Sequence, residues 1–533
     1  MHCRKCFRQA SALGLAVWVG MACGQAKPPT CVPPLIFVDT SSIEPSVGDG
    51  SPASCTEEAL RRALAQRNTI TFRCGPGPVV IAIGASLDVA ADRDIVIDGA
   101  NSVSLDGQRR TRIFSVGRAG YRSNTRGLTL QRIRLVNGAA PGSGYVAPDR
   151  TNPKCAFGYA GGAGGAIEVR DAALHLFDVT FEGNAAATPG PDIGGGAVFA
   201  AGSLDVTIVG SRFLSNTGAN AGAVGLLQTD ARIFNSIFQG NGASGSGQNY
   251  ATPDVAACAG VGHAGQGGSG GNGGAIAVDG SSDTDFVVCG TSFIGNTANE
   301  LAGAVFRTMN GLPRRTVFDR TFFQGNRARQ GGALFIMNAS PLEITGSTFA
   351  SNAAEAFGAG QFVNSRFQII NSTFVANEAT RGLGGALMLN GSDPQSVLLN
   401  ATFAENKALG GSGLFGAALS GSLNFRIRNS VFANNVGLDP SAPMQCGFAP
   451  AAGAENMQWP RLRVAGGRPD TPCVTGAVFQ DPELQRLAEN GGPTATMLPG
   501  VTSPLRAAGR DCPLLDQRGV PRDPKVCTTG AVE

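Results

Sequence analysis

Between residues 181 and 435 a Phe-x-x-Asn motif closes a repeated unit nine times. The pairs are Phe181/Asn184, Phe213/Asn216, Phe238/Asn241, Phe293/Asn296, Phe323/Asn326, Phe349/Asn352, Phe374/Asn377, Phe403/Asn406 and Phe432/Asn435. Successive Phe residues stand 32, 25, 55, 30, 26, 25, 29 and 29 residues apart. A second motif keeps pace: Gly-Gly-Ala begins at 164, 195, 273, 331 and 384, with weaker Gly-Ala copies at 222, 303, 358 and 416. A period of this length means a repeat architecture, and what fills each period decides which kind. Each unit holds two short alternations of apolar and polar residues, such as AIEV followed by LHLFDVTF, and no ten-residue run of helical periodicity. Two or three short strands per unit without a helix predict one turn of a parallel β-helix. A propeller blade needs four strands and about 40–50 residues. The expected fold is therefore all-β, a solenoid of roughly twelve coils on the order of 60 Å long.

The recurring residues have structural roles. A Phe at one point of every coil stacks on the Phe above and below, each burial worth roughly 1.5–3 kcal/mol. An inward Asn at a turn needs its amide satisfied, and the Asn of the next coil can do that. The Gly pair tolerates dihedrals that a β-carbon forbids. With 76 Gly and 15% charged residues, the composition fits stacked turns rather than disorder.

Residues 1–30 read as an export signal: Arg4, Lys5 and Arg8 precede an apolar run from Ala10 to Ala22, too short for a stop-transfer helix. Two cleavage readings stand. Met21-Ala22-Cys23 resembles a lipoprotein signal with Cys23 lipidated, although Gly20 stands where Leu, Val or Ile is usual. Ordinary cleavage after Ala26 is the alternative. Ten further cysteines, Cys31, Cys55, Cys74, Cys155, Cys258, Cys289, Cys446, Cys473, Cys512 and Cys527, are an even set, as an oxidised extracytoplasmic protein would carry. Local pairs Cys55–Cys74, Cys446–Cys473 and Cys512–Cys527 are conjectures, since spacing does not fix connectivity. Without Arg4, Lys5 and Arg8 the 42 basic residues fall to 39, matching the 39 acidic ones, which argues against nucleic acid as a partner.

The N-terminal cap, residues 31–68, contains SCTEEALRRALAQR, read as a short helix with Ser54 and Glu57 as a capping box. The coils run over 69–436. Insertions at 138–163, 185–194 and 242–272 each follow the Asn of one coil and precede the Gly-Gly of the next, so all leave from one corner, commonly the binding side of a solenoid. Tyr145, Tyr159, Tyr250 and His263 lie in them and are the candidate ligand-binding residues; Cys155 and Cys258 can tie the first insertion to the third. The plain alternative is Gly-rich surface loops with incidental aromatics. Residues 437–533, rich in Pro and Cys, read as a disulfide-stapled C-terminal cap.

The pairing of Gly-Gly-Ala with Phe-x-x-Asn resembles the repeat of polymorphic outer membrane proteins and of pectate-lyase-like right-handed parallel β-helices. CTEEALRRAL, TITFRCGPG and VIDGANSVSLDG near the start, and NGGPTATMLPG, SPLRAAG, CPLLDQRGVPR and TTGAVE at the end, are similar to choice-of-anchor Q domain proteins, exported bacterial β-helix proteins of mostly unassigned function. The resemblance implies right-handedness and a place at the cell surface, outer membrane or outside the cell. No sorting tail or barrel strands precede Glu533, so surface retention would rest on Cys23.

Enzymes on such coils need clustered carboxylates, either around Ca²⁺ or as a hydrolytic pair. From residue 193 to 436 there are 13 acids, spread singly, with Asp283 and Asp285 the nearest together. Arg132-Ile133-Arg134 and Arg426-Ile427-Arg428 lack the acidic and His motifs that accompany such a basic motif in polygalacturonases. His175 reads as a strand side chain. The glycine patterns in GQGGSGGNGG lack the strand-turn-helix context that a nucleotide loop or nucleophile elbow requires. The expectation is a monomeric, non-enzymatic protein of adhesion or glycan and partner recognition, without catalytic residue, metal or cofactor. The alternatives are a polysaccharide lyase or glycoside hydrolase with a cryptic site, or a purely structural envelope protein. Three or more carboxylates converging in space would favour the enzyme.

Overall fold

The computed structural model describes residues 31–533 apart from 118–121, 141, 143–144, 147–157, 160–161, 188–193, 248–269, 281–283, 310–313, 383, 392, 411–415, 440–441, 448–450 and 465. One coil shows the plan. Leu334–Met337 lies on a first face, Leu342–Thr345 on a second, Thr348–Ala350 on the Phe face and Ala353–Ala356 on a short fourth face. Stacked coils turn these into parallel sheets of 11, 13, 14 and 10 strands. The chain is a parallel β-solenoid of about 11 turns, one fewer than the sequence suggests. The expected two or three strands per coil are four. The missed one is often two residues of small side chains, such as Ala185–Ala186 or Gly242–Ala243, too short to show alternation.

Period-2 patterning fills the interior. In Leu342–Thr345, Leu342 and Ile344 are buried while Glu343 and Thr345 point outward. Phe323, Phe349 and Phe374 are in register, and from Phe181 to Phe432 adjacent rings stack with centroids 4.5–5.5 Å apart. The Asn residues form the second ladder. Asn352 donates its backbone N–H and its side-chain amide to Asn377 Oδ1, at 3.0 and 2.9 Å, and gives the other amide hydrogen to Phe323 O at 3.0 Å. Each side-chain oxygen thus takes two bonds and each amide gives two, so a fully buried row of carboxamides is satisfied. The row ends on Gly138 N, which donates to Asn184 Oδ1, and on Gln445 Oε1, which accepts from Asn435. The two glycines of Gly-Gly-Ala differ in purpose. Gly331 has φ +66°, whereas a Cβ on Gly332 would lie 2.1 Å from Gly358 O in the next coil.

The helix forms over Glu57–Gln66 and lays Leu60 and Ala63 on the first coil. Its cap differs from the expected box. Thr56 accepts from Ala59 N, Ser54 sits in a preceding 3₁₀ turn, and Glu57 pairs with Arg61 at 2.6 Å instead.

Both ends of the described chain run along the outside of one corner, where the second face turns into the Phe face. Residues 31–40 form a strap there. Asn235 exchanges two bonds with Cys31, at 2.9 and 2.7 Å, and Gln131 exchanges two with Val38, at 3.0 and 2.9 Å. The Thr40 hydroxyl donates to Asp98, and Cys31 is disulfide-bonded to Cys289 across 258 residues of sequence. The expected cap at 437–533 is of two kinds. A further irregular turn runs through Ala452–Ala454 and Met457–Trp459, and Val478–Phe479 stacks on Met457–Trp459 as the last strand of the Phe face. The residues after it fold back along the Phe face, where Met497 and Leu505 pack on Ala350, Val375, Ala404 and Ala433. The return is held by Asn371 to Leu515 O, Asn400 to Gly530 O and Asn429 to Arg510 O. The disulfides Cys446–Cys473, Cys512–Cys527 and, in the cap, Cys55–Cys74 are the three conjectured local pairs.

Candidate functional site

Two places concentrate what the sequence singled out. The first is the corner between the short face and the first face. Short-face strands Ala139–Ala140, Ala185–Ala186 and Gly242–Ala243 precede the three insertions, so the inserted chain begins a few residues later than expected and leaves from this one corner. In the first insertion Tyr145–Val146 and Gly158–Tyr159 pair antiparallel, with Tyr145 opposite Tyr159. Tyr250, His263, Cys155 and Cys258 lie outside the described residues.

The second is the opposite edge of the first face, where it turns into the second. Here three carboxylates occupy three consecutive coils: Val206 N donates to Asp230 O, Ala231 N donates to Asp285 O, and Asp285 N donates to Asp230 Oδ1 at 2.8 Å. Neighbouring coils put successive Asp backbones about 4.8 Å apart. This column was not read from the sequence, where its members are 25 and 55 residues apart. A signal was present: each Asp stands eight residues before the Phe of its own coil, Phe213, Phe238 or Phe293.

The column is largely neutralised. Asp205 accepts from Thr207 Oγ1 at 2.7 Å and from Arg232 Nη2 at 3.1 Å, and lies 3.3 Å from His175 Nε2. Thr129 Oγ1 lies 3.4 Å from the other ring nitrogen of His175. Burial pushes the Asp205 carboxyl up, but the bonds from His175 and Thr207 outweigh it and bring it down to about 2. Asp230 accepts from Arg122 Nη2 at 2.8 Å. Beneath the column, inside the solenoid, is Arg307. Its Nη2 donates to Thr284 O at 2.7 Å, its guanidinium faces the Phe286 ring at 5.6 Å, and its Nε and Nη1 have no hydrogen-bond partner among the described residues. Desolvation lowers its pKa to about 10, against the opposing pull of Asp285 and Asp230.

Hydrolysis by a carboxylate pair needs one acid that keeps its proton near neutral pH. Asp205, held at about 2, cannot be that acid. Burial raises Asp178 and Asp470, but Asp178 lies on the strap corner beside Arg132 and Asp470 in the last turn, bonded to Met444 N and Gln445 N. The column is a row of carboxylates interleaved with guanidinium and imidazole groups, Arg122, Arg232 and His175.

One metal-like grouping occurs among the described residues, Cys31, Cys289 and Asp319, with ligand atoms within 4.8 Å of one another. Its sulfurs are bonded to each other and its carboxylate is paired with Arg320 at 2.6 Å, so no thiolate is left to bind an ion. No family model matches the chain, and no curated protein matches it.

Proposed function

We propose that this is an exported recognition protein of the cell surface or extracellular space, non-enzymatic, which uses the insertion-bearing corner to bind a glycan or a protein partner. The observation that supports the reading is that all three insertions leave from one corner of the solenoid, the strands of the first pairing at Tyr145 and Tyr159. Loops that carry aromatics on a fixed scaffold are the usual way such folds bind. Disulfides Cys31–Cys289, Cys55–Cys74, Cys446–Cys473 and Cys512–Cys527 support an oxidising compartment. Lipidation at Cys23 would keep the protein at the membrane, and cleavage after Ala26 would release it.

The hydrolase reading draws on the Asp205, Asp230 and Asp285 column, and the low pKa and arginine pairing within that column weigh against it. The test is to screen residues 27–533 on a glycan array and, in parallel, to assay release of reducing or unsaturated sugar ends. Binding without release, lost in a Tyr145→Ala/Tyr159→Ala/Tyr250→Ala variant, is the expected result. Sugar release that disappears in Asp205→Asn would overturn it.

A further inference from the structure

The strap begins CVPPLIFV, an apolar run that lies on the surface. Being extended, it sends alternate side chains outward. Val32 is 90% exposed and Ile36 79%, with Val38 also exposed. From Cys31 to Val47 it carries no Lys or Arg. Farther along the same corner the C-terminal return exposes Leu514 (71%) and Leu515 (51%). The two segments share one line. Asn235, which holds Cys31, and Asn371, which holds Leu515, each stand three residues before the Phe of their coil, at the first residue of the same turn. The faces follow one another as first, second, Phe and short, so this corner is diagonally opposite the insertion corner.

The point of entry is fixed as well. The Cys31–Cys289 disulfide and the paired Asn235 bonds pin Cys31 part-way along the solenoid. Cys31 follows Cys23 by eight positions, so a lipid on Cys23 lies at most about 28 Å from this ridge.

We propose that the ridge is a lipid-facing surface. Val32, Ile36, Val38, Leu514 and Leu515 rest in the interface of a phospholipid bilayer, the solenoid lies lengthwise on the membrane, and the insertion corner faces away from it. The inference rests on the export reading given above. A single line of protruding side chains on a convex corner offers little of the roughly 800 Å² per partner that a stable dimer buries. A bilayer interface, which deforms around protruding apolar groups, accepts such a line.

The test uses residues 27–533 with an N-terminal His-tag, tethered to phosphatidylethanolamine/phosphatidylglycerol vesicles that contain nickel-chelating lipid and brominated acyl chains. Trp459 is the one background tryptophan in 27–533. Ile36→Trp and Leu514→Trp report the ridge, and Leu409→Trp reports the insertion corner; all three positions are exposed, and circular dichroism checks folding. Quenching at 36 and 514 at least about twofold greater than at 409 is expected. Equal quenching, or stronger quenching at 409, refutes the orientation. A dimer in sedimentation that Ile36→Asp/Leu514→Asp dissolves would assign the ridge to a second copy and refute it too. A protein that binds the glycan array but quenches equally loses only the orientation. One that quenches as expected but binds nothing loses only the recognition reading.

Discussion

The Phe face has the same interior along its length and two different exteriors. In the early coils the residues flanking the buried Phe are Thr180 and Glu182, Arg212 and Leu214, Ile237 and Gln239, Ser292 and Ile294, at positions open or partly open to solvent. In the later coils they are Thr348 and Ala350, Thr373 and Val375, Thr402 and Ala404, Val431 and Ala433, all buried. The C-terminal return makes the difference. It lays Met497 and Leu505 on the small apolar side chains, and Gln517 bonds the Thr348 and Thr373 hydroxyls, each at 2.7 Å. Outward positions on a sheet are free to vary until something covers them, and then they must be small, apolar or hydrogen-bonded.

The largest effect should come from a charge placed on the covered half. Ala404→Glu puts a carboxylate into the buried apolar cluster beneath the return, and should cost about 3–5 kcal/mol in chemical denaturation or stop the return from docking. The same residue type at Ile237→Glu, on the open half, should change stability by less than about 0.5 kcal/mol. Equal costs at the two sites would mean that the return is not packed there in solution.

The interior should ignore the distinction. Asn241 and Asn377 make the same three donations: the N–H at 3.0 Å and one amide hydrogen at 2.9 Å to the next Asn, and the other amide hydrogen to a Phe carbonyl at 3.0 or 2.9 Å. Asn241→Ala and Asn377→Ala each strand buried partners on both neighbouring coils. Each should cost about 2–4 kcal/mol, with the two values within about 1 kcal/mol of each other. A much smaller loss at Asn241 would show that the open half relaxes around the gap.

Gln517→Ala acts only through the cover. It takes the acceptor from the Thr373 hydroxyl and removes the bonds the Gln517 amide gives to Thr348 and Thr494, whose hydroxyls still donate to Ala495 O and Gly346 O, and should cost about 1–3 kcal/mol while leaving the coils intact. Faster proteolysis within residues 490–533, with unchanged far-ultraviolet circular dichroism, is the expected signature.

What the sequence made legible divides along the same line. The inner ladders were readable because one residue type must recur wherever every coil meets the same neighbours, as Phe and Asn do. The cover was not, since its imprint is a change of exterior residues, from Glu, Gln and Arg to Ala and Val, that means nothing until the covering segment is placed. The strap left a similar trace. The turn residue three before the Phe is Asn at 235, 371, 400 and 429, where a terminal segment is clamped, and Asp178, Gly210, Gly290, Arg320 or Gly346 in the other regular coils. The Cys31–Cys289 bond was out of reach because it joins segments 258 residues apart. The Asp column was within reach, at its constant offset from Phe, but a repeat is searched first for what stays the same in every coil, and this Asp is present in three.

The smallest effect belongs to that column, at the edge where the first face turns into the second. The folded-state pKa of Asp205 is depressed to about 2, below the usual unfolded value of about 3.9. Its ionised form is therefore favoured by folding. The contribution is fully present above the unfolded pKa and disappears as pH falls through about 4 toward 2. Asp205→Asn removes this dependence but keeps an acceptor for Thr207, so the variant should lose about 1–2 kcal/mol at pH 7 and little at pH 2.5. Denaturation midpoints at the two pH values decide it: the gap between wild type and variant should close on acidification. A gap that stays constant would mean that Asp205 acts through shape and neutral hydrogen bonds, leaving its pairing with His175 and Arg232 without energetic weight.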